Sequence, residues 1–551
     1  MSTKTASLNR PNPVKPFTSK GFSSFERCAF THKKSLKKPV VSDAQPFLCN
    51  IVLPPRNMQA QDELYLLIKS LTSSEKRYFK VYANRHVLGH KNNYEKLFDV
   101  IDSWPDTKEY DEEELKEILR KKRLGKFLSS DKVKLIGLIT ESMRAYRSGS
   151  SIEQSITDLL ADEAFYKTKR LNRLRLKAIQ KAKELAWKYE LYPILITVLQ
   201  REAVAAIEWQ QEHLGRTYTA IEKETGEAFE VLHLSVDLRR MYEKVFTHAR
   251  TSLNGSEKAM QLAGETLGSS LITEYKAGRS FTCDKLYYQT QALCYRLLFQ
   301  FKEYSEFQQK VVDLYEEYPH FVDYDRTSYK IALYNLMNAL IKNEQQDAFK
   351  KYLEKAKNLK AADADEEGED WQNIVHLELM YFMNTGNFEV GAKLKDEIER
   401  GLALYSNKVN VARKLVLWRN LEACFLFTDN YEEALLYNNK ILNDKSEARK
   451  DIKDECRFIE IIIHYSLQNF QLVENVTRNF ERQLKNNRDL DEQEVFFFKS
   501  FKQLLKYAGQ KIPSPVIQEI LTRWEEISTT NNKAALESFV HWLSSRLASA
   551  A

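Results

Sequence analysis

Residues 418–442 read WRNLEACFLFTDNYEEALLYNNKIL. Trp418, Leu421 and Phe425 recur at spacings of three and four, which places them on one face of a helix. Asp429-Asn430-Tyr431 is turn chemistry, since short polar side chains bond back to their own backbone. Ala434 then falls early in a second helix, where a small side chain lets two backbones come close. The stretch predicts two antiparallel helices joined by a tight turn.

The rest of the chain is permissive of the same element. From Met58 to Ala551, 494 residues contain only five prolines (Pro105, Pro193, Pro319, Pro513 and Pro515) and fifteen glycines. A proline inside a helix costs roughly 3 kcal/mol, so this scarcity predicts an all-α chain.

The 418–442 stretch resembles the tetratricopeptide repeat, whose pattern runs Trp-x2-Leu-Gly-x2-Tyr and then a small residue in the second helix. Trp418, Leu421, Phe425 and Ala434 match by type and spacing, whereas Glu422 stands for the family's glycine and Tyr437 comes one residue early. Weaker copies share the turn: FKEYSEF with Phe307, NEQQDAF with Ala348, TGNFEVG with Gly391 and LQNFQLV with Val473. The close-contact sites Phe307, Ala348, Gly391, Ala434 and Val473 are 41, 43, 43 and 39 residues apart, longer than the family period of about 34. The resemblance covers about 285–485 and implies an α-solenoid, meaning stacked helix pairs. It also implies a concave groove lined by first helices that takes a protein or peptide partner. Groove positions by that resemblance are Arg296, His376, Met380, Arg419, Asn420 and Phe427. Only Arg419 and Asn420 sit together, so a clamp for a C-terminal carboxylate is not expected.

Outside those repeats the chain divides by composition. Residues 1–57 carry ten Lys or Arg against Glu26 and Asp43, a charge of +8, leaving −2 for the remainder of a chain whose total is +6. This tail has little apolar surface to offset the entropy of ordering. Three readings stand: a disordered basic tail, a targeting segment, or a mis-assigned start with Met58 as the native initiator; the clean amphipathic opening MQAQDELYLLIKSL favours the last. Residues 60–148 predict a bundle of short helices, with Thr72 and Glu75 spaced as a capping box and Gly125 as a helix stop. Residues 151–280 predict long helices with divergent repeats, including one helix over 161–190 and a break at Asn254-Gly255. Residues 486–551 predict capping helices.

The near-neutral body counts against nucleic acid as the main partner. One basic cluster, Arg120, Lys121, Lys122, Arg123 and Lys126, supports a second reading, a nucleic-acid-associated regulator, with Lys167, Lys169, Arg170, Arg173 and Arg175 extending the patch. No phosphate-cradling glycine loop, nucleophile elbow or zinc-protease motif occurs, so no enzyme and no cofactor are expected. His86 and His90 have metal-pair spacing but lack an acid beside them. Asp363 to Gly368 opens like a calcium loop, but Ile374 stands where the bidentate Glu belongs, which predicts a solvated acidic loop instead. The six cysteines form no C-x-x-C pair, and the four in predicted helices read as buried thiols of a cytoplasmic protein. No run of 18 apolar residues is present, so no membrane span is expected.

Overall fold

The computed structural model describes residues 63–85, 93–105, 110–122, 127–146, 151–208, 218–251, 257–406, 408–446, 448–528 and 534–548. The expectations for residues 1–57, for His86 and His90, for Arg123, Gly125 and Lys126, and for the break at Asn254-Gly255 lie outside them.

The described residues are helical, with no strand among them. Four short helices and one longer one come first: α1 (Glu63–Ser70), α2 (Ser73–Asn84), α3 (Asn93–Asp102), α4 (Glu112–Lys121) and α5 (Leu128–Tyr146). The predicted capping box starts α2, with Glu75 N–H donating to Thr72 Oγ1 at 3.3 Å and Thr72 N–H to Glu75 Oε2 at 2.9 Å. Leu64, Ile68, Phe79, Phe98, Leu115 and Ile139 close a core among these helices.

Next come α6 (Ile152–Thr168), α7 (Asn172–Lys188), α8 (Tyr192–Glu208), α9 (Tyr218–Thr251), α10 (Glu257–Leu267) and α11 (Ser270–Thr273). The single helix expected over 161–190 is two, α6 and α7. Arg170 between them has φ +57°, the left-handed region where a helix must end. Then follow α12 (Phe281–Leu297), α13 (Phe301–Glu317), α14 (Pro319–Tyr324), α15 (Arg326–Lys342), α16 (Gln346–Lys357), α17 (Ala364–Asn384), α18 (Phe388–Lys393), α19 (Lys395–Leu404), α20 (Val411–Phe427), α21 (Tyr431–Leu442), α22 (Lys450–Ser466) and α23 (Phe470–Asn487). The chain closes with α24 (Glu492–Leu504), α25 (Ser514–Ile527) and α26 (Ala534–Ala548).

Helices pack mainly on their neighbours in sequence: α6 on α7, α12 on α13, α15 on α16, α20 on α21 and α22 on α23. First helices also pack side by side, α15 on α17, α17 on α20 and α20 on α22. One continuous apolar core runs through these pairs from Phe281 to Leu543. Three of the five close-contact sites are buried, and Phe307 and Ala348 are half-buried. Ala434 and Val473 are buried. A Cβ on Gly391 would fall 2.7 Å from Cys424 Sγ, so only glycine fits that approach without movement.

The turns repeat more faithfully than the side chains. Arg170, Glu190, Phe299, Glu344, Gly386, Asp429 and Gln468 all have φ between +52° and +74°. After each, the next residue's N–H reaches back to the carbonyl five residues earlier at 2.8–3.0 Å, the 6→1 bond of a Schellman motif. The following residues Leu171, Gln300, Gln345, Asn387, Asn430 and Asn469 share φ between −81° and −91° and ψ between 52° and 78°. From Phe299 to Gln468 the left-handed positions are 45, 42, 43 and 39 residues apart.

The pairs before and after α9 are joined directly. The Glu190 carboxylate accepts from the N–H groups of Phe281 at 2.7 Å and Thr282 at 2.8 Å, capping α12 where the helix dipole favours negative charge. Tyr189 packs on Tyr324 with ring centroids 5.1 Å apart. Cys283, Cys294, Cys424 and Cys456 are free and buried, as expected of small apolar side chains. Among the described residues no helix is long and apolar enough to cross a membrane.

Candidate partner-binding surface

The first helices of the repeats are enclosed. Every residue from Leu415 to Leu426 except Trp418 is buried, and so is every residue from Phe458 to Tyr465 except Glu460. This corrects the expectation that these helices present an open groove. Each is flanked by its own second helix and by first helices of neighbouring pairs, and α26 packs on α22. His376, Met380, Arg419 and Asn420 are accordingly 0%, 1%, 4% and 1% exposed, out of reach of a partner unless the pairs separate. Phe427 is half-buried, with its ring 4.8 Å from Phe388 and 4.6 Å from His541 of α26. Arg296 is half-buried at the end of α12, and its Nε and Nη2 meet no hydrogen-bond partner among the described residues.

The buried polar members of that set form two clusters. Asn420 Nδ2 lies 3.5 Å from His376 Nδ1, joining α20 to α17. Burial holds the His376 imidazole well below its usual range, and the nearby cations Arg413 and Arg449 push the same way. Arg419 lies 3.4 Å from Glu422 and 3.8 Å from Glu455. Asn438 Nδ2 donates to Glu422 Oε1 at 2.6 Å and to the Cys456 carbonyl at 2.8 Å. Burial raises the Glu422 carboxyl, partly offset by Arg419 and Asn438. Breaking a buried pair strands a charge, so Arg419→Glu reports on folding and cannot serve as a binding probe.

The basic cluster is partly neutralised. Arg120, Lys121 and Lys122 are exposed at the end of α4. Lys132, which with Lys134 adds to the same basic run in the sequence, lies 3.4 Å from Glu112. Arg175 does not extend the patch: it is buried between Glu163 and Glu208, each at 2.7 Å, and Lys167 also pairs with Glu208 at 2.8 Å. Asp363 to Gly368 is not a loop. Asp363 accepts from Glu366 N–H at 2.9 Å and starts α17, while Glu366 pairs with the buried Lys330 at 2.7 Å. Lys330 of α15 thus takes up Glu366, while Asp363 and Glu367 are exposed.

A concavity of about 1090 Å³ lies elsewhere, between α9, α10 and the segment running through α11 to α12. Leu234 and Met241 of α9, Leu262 of α10, and Leu271 and Tyr275 form its apolar part. Its rim carries Arg240, Lys244, Lys276 and Arg279 together with Asp237, Glu265 and Glu274. Asp237 lies 3.6 Å from Arg240, while Lys244 and Lys276 stand exposed without an ion-pair partner among the described residues. One wall is braced from beneath by the buried Asp284 of α12, which accepts from the Tyr275 hydroxyl and from Gly278 N–H, the latter at 2.8 Å. Gly278 has φ +95°, which only glycine adopts freely. Burial and the Asp284 carboxylate raise the Tyr275 hydroxyl, so it stays a neutral donor. Sequence reasoning missed this cleft because the register of α9 and α10 was unreadable; the glycine turn at Gly278 before α12 was the available signal. No family model, no curated protein and no solved structure matches this chain.

Proposed function

We propose that this chain is a non-enzymatic, cytoplasmic scaffold built from divergent tetratricopeptide-like helix pairs, and that it binds a segment of a protein partner. The cleft between α9 and α11 supports this reading most. Its volume of about 1090 Å³ is at the upper end for small-molecule pockets. An apolar floor with a rim of both charge signs suits a polypeptide segment, whose side chains offer the same mixture. The enclosed first helices act as the rigid frame that holds the cleft, through Asp284 beneath it and the Glu190 cap beside it.

The test is affinity capture by the full-length chain in extract of its native host, comparing wild type with Lys244→Glu/Lys276→Glu. Both side chains are exposed, so the variant keeps its helical circular dichroism. The reading expects a specifically captured protein to be lost by the variant. An identical captured set from both chains overturns it.

A further inference from the structure

A second cavity of about 460 Å³ lies where the last two repeat turns meet the C-terminal helices. That volume is in the range of small-molecule sites. Its lining has a chemical division. Phe470, Ile512 and Ile517 supply apolar wall, and Arg546 and Lys511 supply two cations against the single acid Asp429.

Arg546 is the best-positioned of these groups. Its Nη2 donates to the Tyr431 hydroxyl at 2.9 Å and lies 3.4 Å from Ser466 Oγ. Its guanidinium sits 4.7 Å from the centre of the Trp542 ring. The side chain is therefore fixed before any ligand arrives, which lowers the entropic cost of binding. Its buried Nε has no hydrogen-bond partner among the described residues. The guanidinium lining the cavity is thus a fixed, permanently charged planar donor, the group that suits an oxyanion. Lys511 is exposed at the mouth and has no partner among the described residues. Asp429 is already engaged, since it accepts from the Tyr431 hydroxyl. It leaves the lining one positive charge in excess, enough for one oxyanion and unfavourable to a polyanionic chain.

We propose that this cavity binds a small molecule carrying one carboxylate or phosphate group on a compact apolar body. The oxyanion lies against Arg546 and Lys511, and the apolar body against Phe470, Ile512 and Ile517. The site joins the α20–α21 and α22–α23 turns to α26, so an occupant would bridge the repeats to their C-terminal cap.

Titration calorimetry of the full-length chain with benzoate, phenyl phosphate and uncharged benzamide tests this. The expected result is saturable binding of benzoate or phenyl phosphate, with benzamide at least about tenfold weaker; which acid binds identifies the oxyanion. Lys511→Gln and Arg546→Lys should each weaken the bound acid by about tenfold, the loss of one charge-assisted hydrogen bond, without changing benzamide. Lys511 is on the surface, so its variant remains informative if the Arg546 change disturbs α26. The proposal fails if neither acid binds more tightly than benzamide, or if Lys511→Gln binds the acid as wild type does.

Discussion

Gly391→Ala isolates the close approach on which helix-pair stacking depends. In an exposed helix this change stabilises by about 1 kcal/mol, because glycine loses more backbone entropy on folding. At Gly391 the new methyl would stand 2.7 Å from Cys424 Sγ and 3.5 Å from Phe382 Cβ. Carbon contacts are comfortable near about 3.5–4.0 Å, so α18 must move off α20 or the buried thiol must shift. Overpacking of this kind costs about 1–3 kcal/mol. The sum is a net loss of up to about 2 kcal/mol. Gly137→Ala in α5 is the reference, since a Cβ there meets nothing within 4 Å. The difference between the two variants should equal the clash, about 1–3 kcal/mol. Adding Cys424→Ala should recover much of it as a coupling in a double-mutant cycle. Urea unfolding gives the global value, and exchange of the α18 and α20 amides gives the local one, which matters because so long an array need not unfold in one step. The packing argument fails if Gly391→Ala stabilises as much as Gly137→Ala, or if no coupling to Cys424 appears.

Two other expectations follow from the polar contacts. Glu190→Ala should raise the opening rate of the first turn of α12, by an amount equivalent to about 1–2 kcal/mol for a lost cap; unchanged exchange at residues 281–284 would show that Glu190 does not hold that helix. His376 is held neutral by burial, with a folded pKa below its unfolded value. Below about pH 6.5 the unfolded chain therefore takes up a proton that the folded chain does not. Its contribution is present at neutral pH and is lost as pH falls below about 6.5, by up to about 1.4 kcal/mol per unit. His376→Gln should flatten the fall in urea midpoint between pH 7 and 5, whereas an identical slope would mean that His376 is solvated.

The helical class was legible because proline scarcity acts on every residue, and the 418–442 pair because Trp418, Leu421, Phe425 and Ala434 make contacts at fixed spacing. The Thr72 cap was legible for the same local reason. The turns were only half legible. Gly386 is the one glycine among seven left-handed positions, so Arg170, Phe299 and Gln468 carried no warning that a helix ends there. The α6–α7 break was lost on that account. Burial of Arg419, Asn420 and His376 was not legible at all. A polar residue on a first helix reads as solvent-facing until its partners, here Glu422 and Glu455 for Arg419 and His376 for Asn420, are known from tertiary packing. The two clefts form between elements apart in sequence, α9 facing the Leu271–Arg279 segment in one and Arg546 beside Tyr431 in the other, so their closure depends on tertiary packing.

The recurring left-handed turn that sets each pair in register can be tested by sign alone. Arg170, Glu344 and Gln468 are exposed and have φ of +57°, +56° and +62°. A side chain there costs roughly 1–2 kcal/mol relative to glycine, against about 0.5–1 kcal/mol of extra backbone entropy that glycine brings. The variant Arg170→Gly/Glu344→Gly/Gln468→Gly should therefore raise the urea midpoint, with a gain of up to about 1 kcal/mol at each site. If these positions were instead interior to continuous right-handed helices, each glycine would cost about 1 kcal/mol, and a lowered midpoint would contradict the stacked-pair architecture.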